Sequence, residues 1–123
     1  MAKSVPEKLT VKVGDSLFLD GIDDEWRKLL SPLPDDVTVC SEPADAQVLV
    51  MFVGDRADLD TKADAHLPSA EAARAVWFAY PKGGRADINR DSIWRRMEEI
   101  GWTLNANVSL SDYWSAVRAK KSH

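Results

Sequence analysis

Residues 46–53 read Ala-Gln-Val-Leu-Val-Met-Phe-Val. A strand with one wet face alternates apolar and polar residues, but this run is polar only at Gln47 and stays apolar from Val48 to Val53. It is too short for a buried helix, rich in β-branched residues, and bounded by polar turns, residues 41–45 before it and Gly54-Asp55 after it. These features describe a strand buried on both faces, as happens where parallel strands are joined by helices that cover the sheet.

Working outward, the flanking sequence supplies those strands and helices. Upstream, Ser16-Leu17-Phe18-Leu19, closed by Asp20-Gly21, reads as a first strand, and Val37-Thr38-Val39-Cys40 as a second. Between them Trp26, Leu29, Leu30 and Leu33 line one face of a helix. Asp23 or Asp24 can cap it, Glu25 favours its positive end, and Pro32 and Pro34 end it. Downstream, Asp55 to His66 forms a moderately amphipathic helix with Leu59, Ala63 and Leu67 on one side, stopped by Pro68, and a helical turn comes next at 69–73. Ala75 to Tyr80 is a fourth strand, ended by Pro81. Asn89 caps a third helix, with Ile88 and Ile93 as a hydrophobic staple, Ile93, Trp94, Met97 and Ile100 as its apolar face, and Gly101 as its stop. Leu104, Ala106, Val108 and Leu110 then alternate with Asn105, Asn107 and Ser109; Ser111-Asp112 turns the chain and Trp114 to Val117 begins the return strand of an antiparallel hairpin.

The pattern is α/β. Parallel neighbours need crossover helices of one hand, and the simplest assembly is a three-layer, mostly parallel Rossmann-like sheet of about six strands. The expected strand order is 2-1-3-4-6-5, with strand 6 antiparallel in the C-terminal hairpin. Residues 1–123 are read as one domain, with 1–8 and 120–123 frayed.

The composition excludes several classes. The chain has 123 residues, 45% of them hydrophobic, enough for a core without disulfides or metals. No apolar run reaches the ~18 residues of a membrane helix, and six Gly with six Pro are too few for a low-complexity chain. One cysteine and two distant histidines make a poor zinc set. The absence of a signal-type stretch after the first lysines and the unpaired Cys40, read as a buried inert thiol, favour the cytoplasm. The net charge of −4 is a cancellation. Residues 1–64 hold fourteen acids against seven bases, a balance of −7, and residues 65–123 hold six acids against nine bases, a balance of +3. The acidic half repels nucleic acid, and the basic half falls short of a nucleic-acid footprint. A weak anion-binding face on the C-terminal half is the sharper reading; a solvated surface of uneven charge is the plainer one.

Three short motifs then stand in order: Gly14 in VKVGDSLFLD, the aromatic-Pro-Lys of VWFAYPKGGRAD, and the Ser-Asp-x-Trp-Ser of VSLSDYWSAVRAKK. Together they resemble a bacterial family known only as a domain of unknown function, over most of the chain from about Leu9 to Arg118. Tyr80 stands where that family usually has Trp, a departure that removes an indole N–H. The resemblance implies a small methyltransferase-like sheet in a bacterial, cytoplasmic setting, and no established reaction.

A methyltransferase-like sheet invites S-adenosylmethionine, whose site needs a glycine-rich turn after the first strand. Leu19 to Glu25 offers one glycine, Gly21, succeeded after Ile22 by three acids, so no cofactor is expected; Glu42, after the second strand, stands near where a ribose-binding acid would be. The leading candidate site is the loop Lys82-Gly83-Gly84-Arg85, which leaves the carboxyl end of a strand and offers two bases and exposed backbone N–H groups to an anion. Its plainer account is a connection with solvated bases. Tyr80, Asp87, Asp112 and Trp114 are further candidate contacts to a ligand or partner, Trp114 by stacking if it is exposed and otherwise as core. The other tryptophans read as core. His66 reads as an exposed helical histidine, and no serine sits in a nucleophile elbow. No catalytic set and no metal site is assembled. The favoured reading is a non-catalytic binding or regulatory module for a small anionic metabolite. A minimal methyltransferase relative and a homodimerising interaction module are the alternatives, and neither nucleic acid nor membrane is an expected partner.

Overall fold

The structure is a computed structural model describing residues 5–21, 28–30, 33–70, 73–82 and 87–121. The expected caps at Asp23 and Asp24, Trp26, and Pro32 lie outside the described residues. Six strands form one sheet: β1 (Ser16–Asp20), β2 (Thr38–Cys40), β3 (Val48–Phe52), β4 (Ala75–Pro81), β5 (Trp102–Ser109) and β6 (Trp114–Lys121). Their order is β2-β1-β3-β4-β6-β5, with the first four parallel and β6 antiparallel to both β4 and β5, as the sequence pattern predicts. Among the described residues the helices include α1 (Val5–Lys8), α2 (Arg56–His66) and α3 (Arg90–Glu99), with short helical turns at Pro43–Asp45 and Leu67–Ser69.

Every residue of β3 and β4 is buried, so the run that decided the fold is central. Alternation along these strands feeds two cores. Leu49, Met51, Phe78 and Tyr80 pack on one face against Leu59 and Ala63 of α2 and Ile93 and Met97 of α3. Val48, Val50, Phe52 and Trp77 pack on the other face against Leu9, Val11 and Leu30. Leu9 is fully buried and its carbonyl accepts the Trp77 indole N–H at 2.9 Å. Residues 5–8 form a helical turn that leads into buried Leu9, and β6 runs from Trp114 to Lys121. Asp15 and Arg74 form a second tether. The Arg74 guanidinium bonds both carboxylate oxygens of Asp15 and, at 2.7 Å, the carbonyl of Thr10. The guanidinium and the Lys12 backbone N–H hold the Asp15 carboxyl below the usual carboxylate range, against burial, which acts the other way.

The helix ends obey local chemistry. Asn89 and Ser92 close a reciprocal capping box on α3, each side chain accepting the other's backbone N–H at 2.9 Å. Gly101 takes φ +84° just past the end of α3, a conformation that suits glycine. A helical turn at Leu67–Ser69 follows α2, where Pro68 supplies a suitable φ, and the Ala73 N–H donates to the Ala70 carbonyl at 3.0 Å; residues 71 and 72 of the turn expected at 69–73 lie outside the described residues. Cys40 is half-buried rather than buried, because β2 is an edge strand of three residues.

The hairpin departs from clean alternation. Leu104 pairs Ala119 while Ala106 pairs Arg118, so Asn105 is an extra residue, a β-bulge. One inserted residue exchanges the faces of everything beyond it. Trp102 and Leu104 therefore join the α2–α3 core, whereas Ala106 and Val108 join the other one.

Candidate functional site at the carboxyl ends of the strands

In open α/β sheets ligands collect beyond the carboxyl ends of the strands. Here that ridge is built from Asp20 at the end of β1 and Gly21 after it, Glu42 after β2, Gly54-Asp55 after β3 and Lys82 after β4. Antiparallel β6 brings the β5–β6 turn to the same ridge, with Trp114 opposite Pro81.

Gly21 is the tightest point. Its φ is +134°, and a Cβ there would stand 2.4 Å from the Cβ and 3.0 Å from the carbonyl oxygen of Phe52. Only glycine lets the chain leave β1 across the end of β3 this closely. Phe52 in turn meets Trp114 edge-on at 5.2 Å, and Trp114 meets Tyr113 at 5.1 Å. An aromatic row thus runs from the buried Phe52 beside Gly21, through half-buried Trp114, to exposed Tyr113.

On the other face of β1, Asp20 Oδ2 lies 2.6 Å from His66 Nε2, and the His66 ring stands against Phe18 at 4.9 Å. His66 is therefore not the exposed histidine expected from its alanine-rich helix. Its partner lies 46 positions away, and no local pattern reveals such a pairing.

The start of α2 is occupied by the chain's own carboxylates. Asp55 accepts the backbone N–H of Asp58 at 2.8 Å, Asp58 accepts that of Gly54 at 3.0 Å, and Asp87 accepts that of Arg56 at 3.0 Å. Asp87 thus serves as a second cap, because the helix N-terminus offers orphan N–H groups and positive potential to any nearby carboxylate. Lys62 lies across the same place, its ammonium donating to the Phe52 carbonyl and pairing with Asp58 at 3.3 Å.

Of the other sequence candidates, Tyr80 is a nearly buried member of the α2–α3 core. Lys82 is half-buried, its backbone N–H donating to the Tyr113 carbonyl at 2.8 Å and its ammonium to the Ser109 hydroxyl. Asp112 is exposed in the hairpin turn. Gly83, Gly84 and Arg85 lie outside the described residues. Trp94, read as core, is only half-buried, with the Arg90 guanidinium 5.2 Å from its ring centre. Among the described residues no group of His, Cys, Asp and Glu could hold a metal ion, and no helix is long and apolar enough to cross a membrane.

No family model matches the chain, and neither does the sequence of any curated protein. Solved structures do match its fold. A protein of the NADB-Rossmann superfamily from Streptococcus agalactiae superposes on all of this chain and 69% of its own, with a TM-score of 0.61 at 12% identity. Streptococcus pneumoniae Sp1610, solved in complex with S-adenosyl-L-methionine, covers all of this chain and 74% of its own, with a TM-score of 0.58 at 9% identity. An S-adenosylmethionine-dependent methyltransferase from Aquifex aeolicus covers 94% of this chain and 86% of its own, with a TM-score of 0.57 at 13% identity. At such identities the likeness shows the fold alone: this chain has a Rossmann-like sheet of the kind found in methyltransferases.

Proposed function

We propose that this chain binds S-adenosylmethionine at the carboxyl ends of β1 and β2 and is a compact relative of the methyltransferases. The observation that carries the reading is full-length likeness to a structure solved with that ligand, joined to the Gly21 turn at the end of β1. It replaces the expectation of no cofactor and reverses the preference for a non-catalytic module. The residues fit the nucleoside part of such a ligand. Gly21 carries the backbone closely past Phe52 at the end of β3, Glu42 offers an exposed carboxylate to ribose hydroxyls, and half-buried Trp114 supplies apolar surface on the same ridge. When bound, the ligand supplies a methyl group activated by its sulfonium. His66 holds the Asp20 carboxylate beside the turn, so Asp20 is oriented before any ligand arrives.

The test is thermal unfolding with S-adenosylmethionine and with its demethylated product. A ligand that binds only the native state at a hundredfold excess over Kd adds about 2.7 kcal/mol, or a Tm rise of roughly 10 °C for a domain of this size. Glu42→Gln, at an exposed position, should lose most of that rise and keep the unliganded Tm. No shift with either compound at millimolar concentration removes the reading.

A second reading places a small anion on Lys82-Gly83-Gly84-Arg85 with no catalysis. Its support is that Lys82 leaves the same ridge. Titration of phosphorylated metabolites against wild type and Lys82→Ala/Arg85→Ala separates the two: equal, negligible binding by both proteins ends the anion version.

A further inference from the structure

At the opposite end of the sheet, beneath the start of β4, two cavities of about 380 Å³ and 310 Å³ adjoin through Trp102 and Lys121. Among the described residues their walls carry four cationic side chains, Arg74, Arg118, Lys120 and Lys121, and one carboxylate, Asp64. This gathers in one groove the positive balance that the second half of the sequence only hinted at. It does so on a chain whose net charge is −4.

The groove is built rather than incidental. Trp102, nearly buried, forms wall to both cavities, and Ala70, Ala73 and Ala119 keep the smaller one open by having little side chain. Arg74 is ion-paired with Asp15 and also donates to the Thr10 carbonyl, so it serves as a fixed wall of the groove, and the charge offered to a ligand comes from Arg118 and the two lysines. Arg118 is laid against it, donating to the Arg74 carbonyl at 3.4 Å. The bulge in β5 falls between the partners of Arg118 and Ala119 and places Asn105 on the same wall. Bulges recur where a strand must re-aim a side chain at a site.

We propose that this groove binds the phosphate group of a small phosphorylated molecule. The Arg118 guanidinium, the Lys120 and Lys121 ammonium groups and the Asn105 amide together match a tetrahedral oxyanion that carries two charges. The smaller cavity has the size of small-ligand sites, and the acidic first half of the chain repels a polyanion extending past it.

The experiment is calorimetric titration with pyrophosphate, with ADP and with a ten-nucleotide single-stranded RNA. The expected result is saturable binding of pyrophosphate and ADP, one per chain. Arg118→Gln and Lys120→Gln should each weaken it at least fivefold, and Arg95→Gln, on the exposed side of α3, should leave it unchanged. Lys120 is exposed, so its variant keeps the fold and the result stays decisive. The proposal is overturned by any of four outcomes: no saturable binding, equal weakening by Arg95→Gln, loss through Lys82→Gln instead, or binding of the RNA without pyrophosphate. Saturating S-adenosylmethionine should leave pyrophosphate binding intact, so failure here and failure of the methyltransferase reading are separate events.

Discussion

Gly21→Ala tests the geometry of the β1 exit directly. The new methyl would sit 2.4 Å from the Phe52 Cβ and 3.2 Å from its Cα, far inside van der Waals contact. Neither atom belongs to a flexible side-chain end, and Phe52 is anchored in a strand paired on both sides, so relief requires backbone movement. Overpacking of that kind costs about 1–3 kcal/mol. Holding alanine at φ +134° adds a further ~1–3 kcal/mol of backbone strain. The expected loss is therefore about 2–6 kcal/mol, a large part of the stability of an ordinary domain. Urea unfolding monitored by tryptophan fluorescence reads it as a lower midpoint at unchanged slope. A loss below about 1 kcal/mol would mean that the turn does not press on Phe52.

Packing and charge set three further outcomes. Trp77→Phe removes the indole donor from the Leu9 carbonyl, which keeps the Thr10 hydroxyl, and should cost about 0.5–1.5 kcal/mol by denaturant unfolding, with amide exchange rising first in residues 5–11. Asn89→Ala removes half of the α3 capping box and should cost about 1 kcal/mol in the same assay; no change would deny the cap an energetic role. The Asp15 carboxyl is held below its ordinary value of 3.8 by Arg74. Its contribution is therefore complete above that value and is lost as pH falls through the lower folded value. Asp15→Asn should cost about 1–2 kcal/mol at pH 7, kept modest because the Arg74 side chain is 37% exposed. The gap to wild type should close below about pH 4 in thermal melts, and a gap that widens on acidification would contradict a stabilising Asp15–Arg74 pair.

Sheet order was legible because it depends on features with short sequence range. An unbroken apolar run, helix-length spacers and a two-strand tail leave few topologies once crossovers share one hand. The α3 cap was legible for the same reason, since Asn89 and Ser92 lie three positions apart. The site was less so. Asp20 and His66 meet across 46 positions, and Asp87 caps a helix that starts 31 residues earlier. The bulge at Asn105 left no trace because the apolar residues on either side of it keep an even spacing. Only their division between two cores shows that a residue has been inserted. The groove cations were visible as a weak charge balance, but their gathering depends on β6 ending beside the start of β4.

The position of β6 also bears on the order of synthesis. It is the last strand to be made, yet it lies between β4 and β5 and pairs with both. While residues 114–121 are still inside the ribosome, β4 has an open flank and β5 has no neighbour to join. The emerging protein can assemble α2 and the parallel strands β1 to β4, but it must keep that flank unclaimed until the final strand arrives. Translation speed through the codons for β5 and β6, and chaperones that shield bare strand flanks, therefore have more leverage on this protein's yield than on one whose central strands are made first.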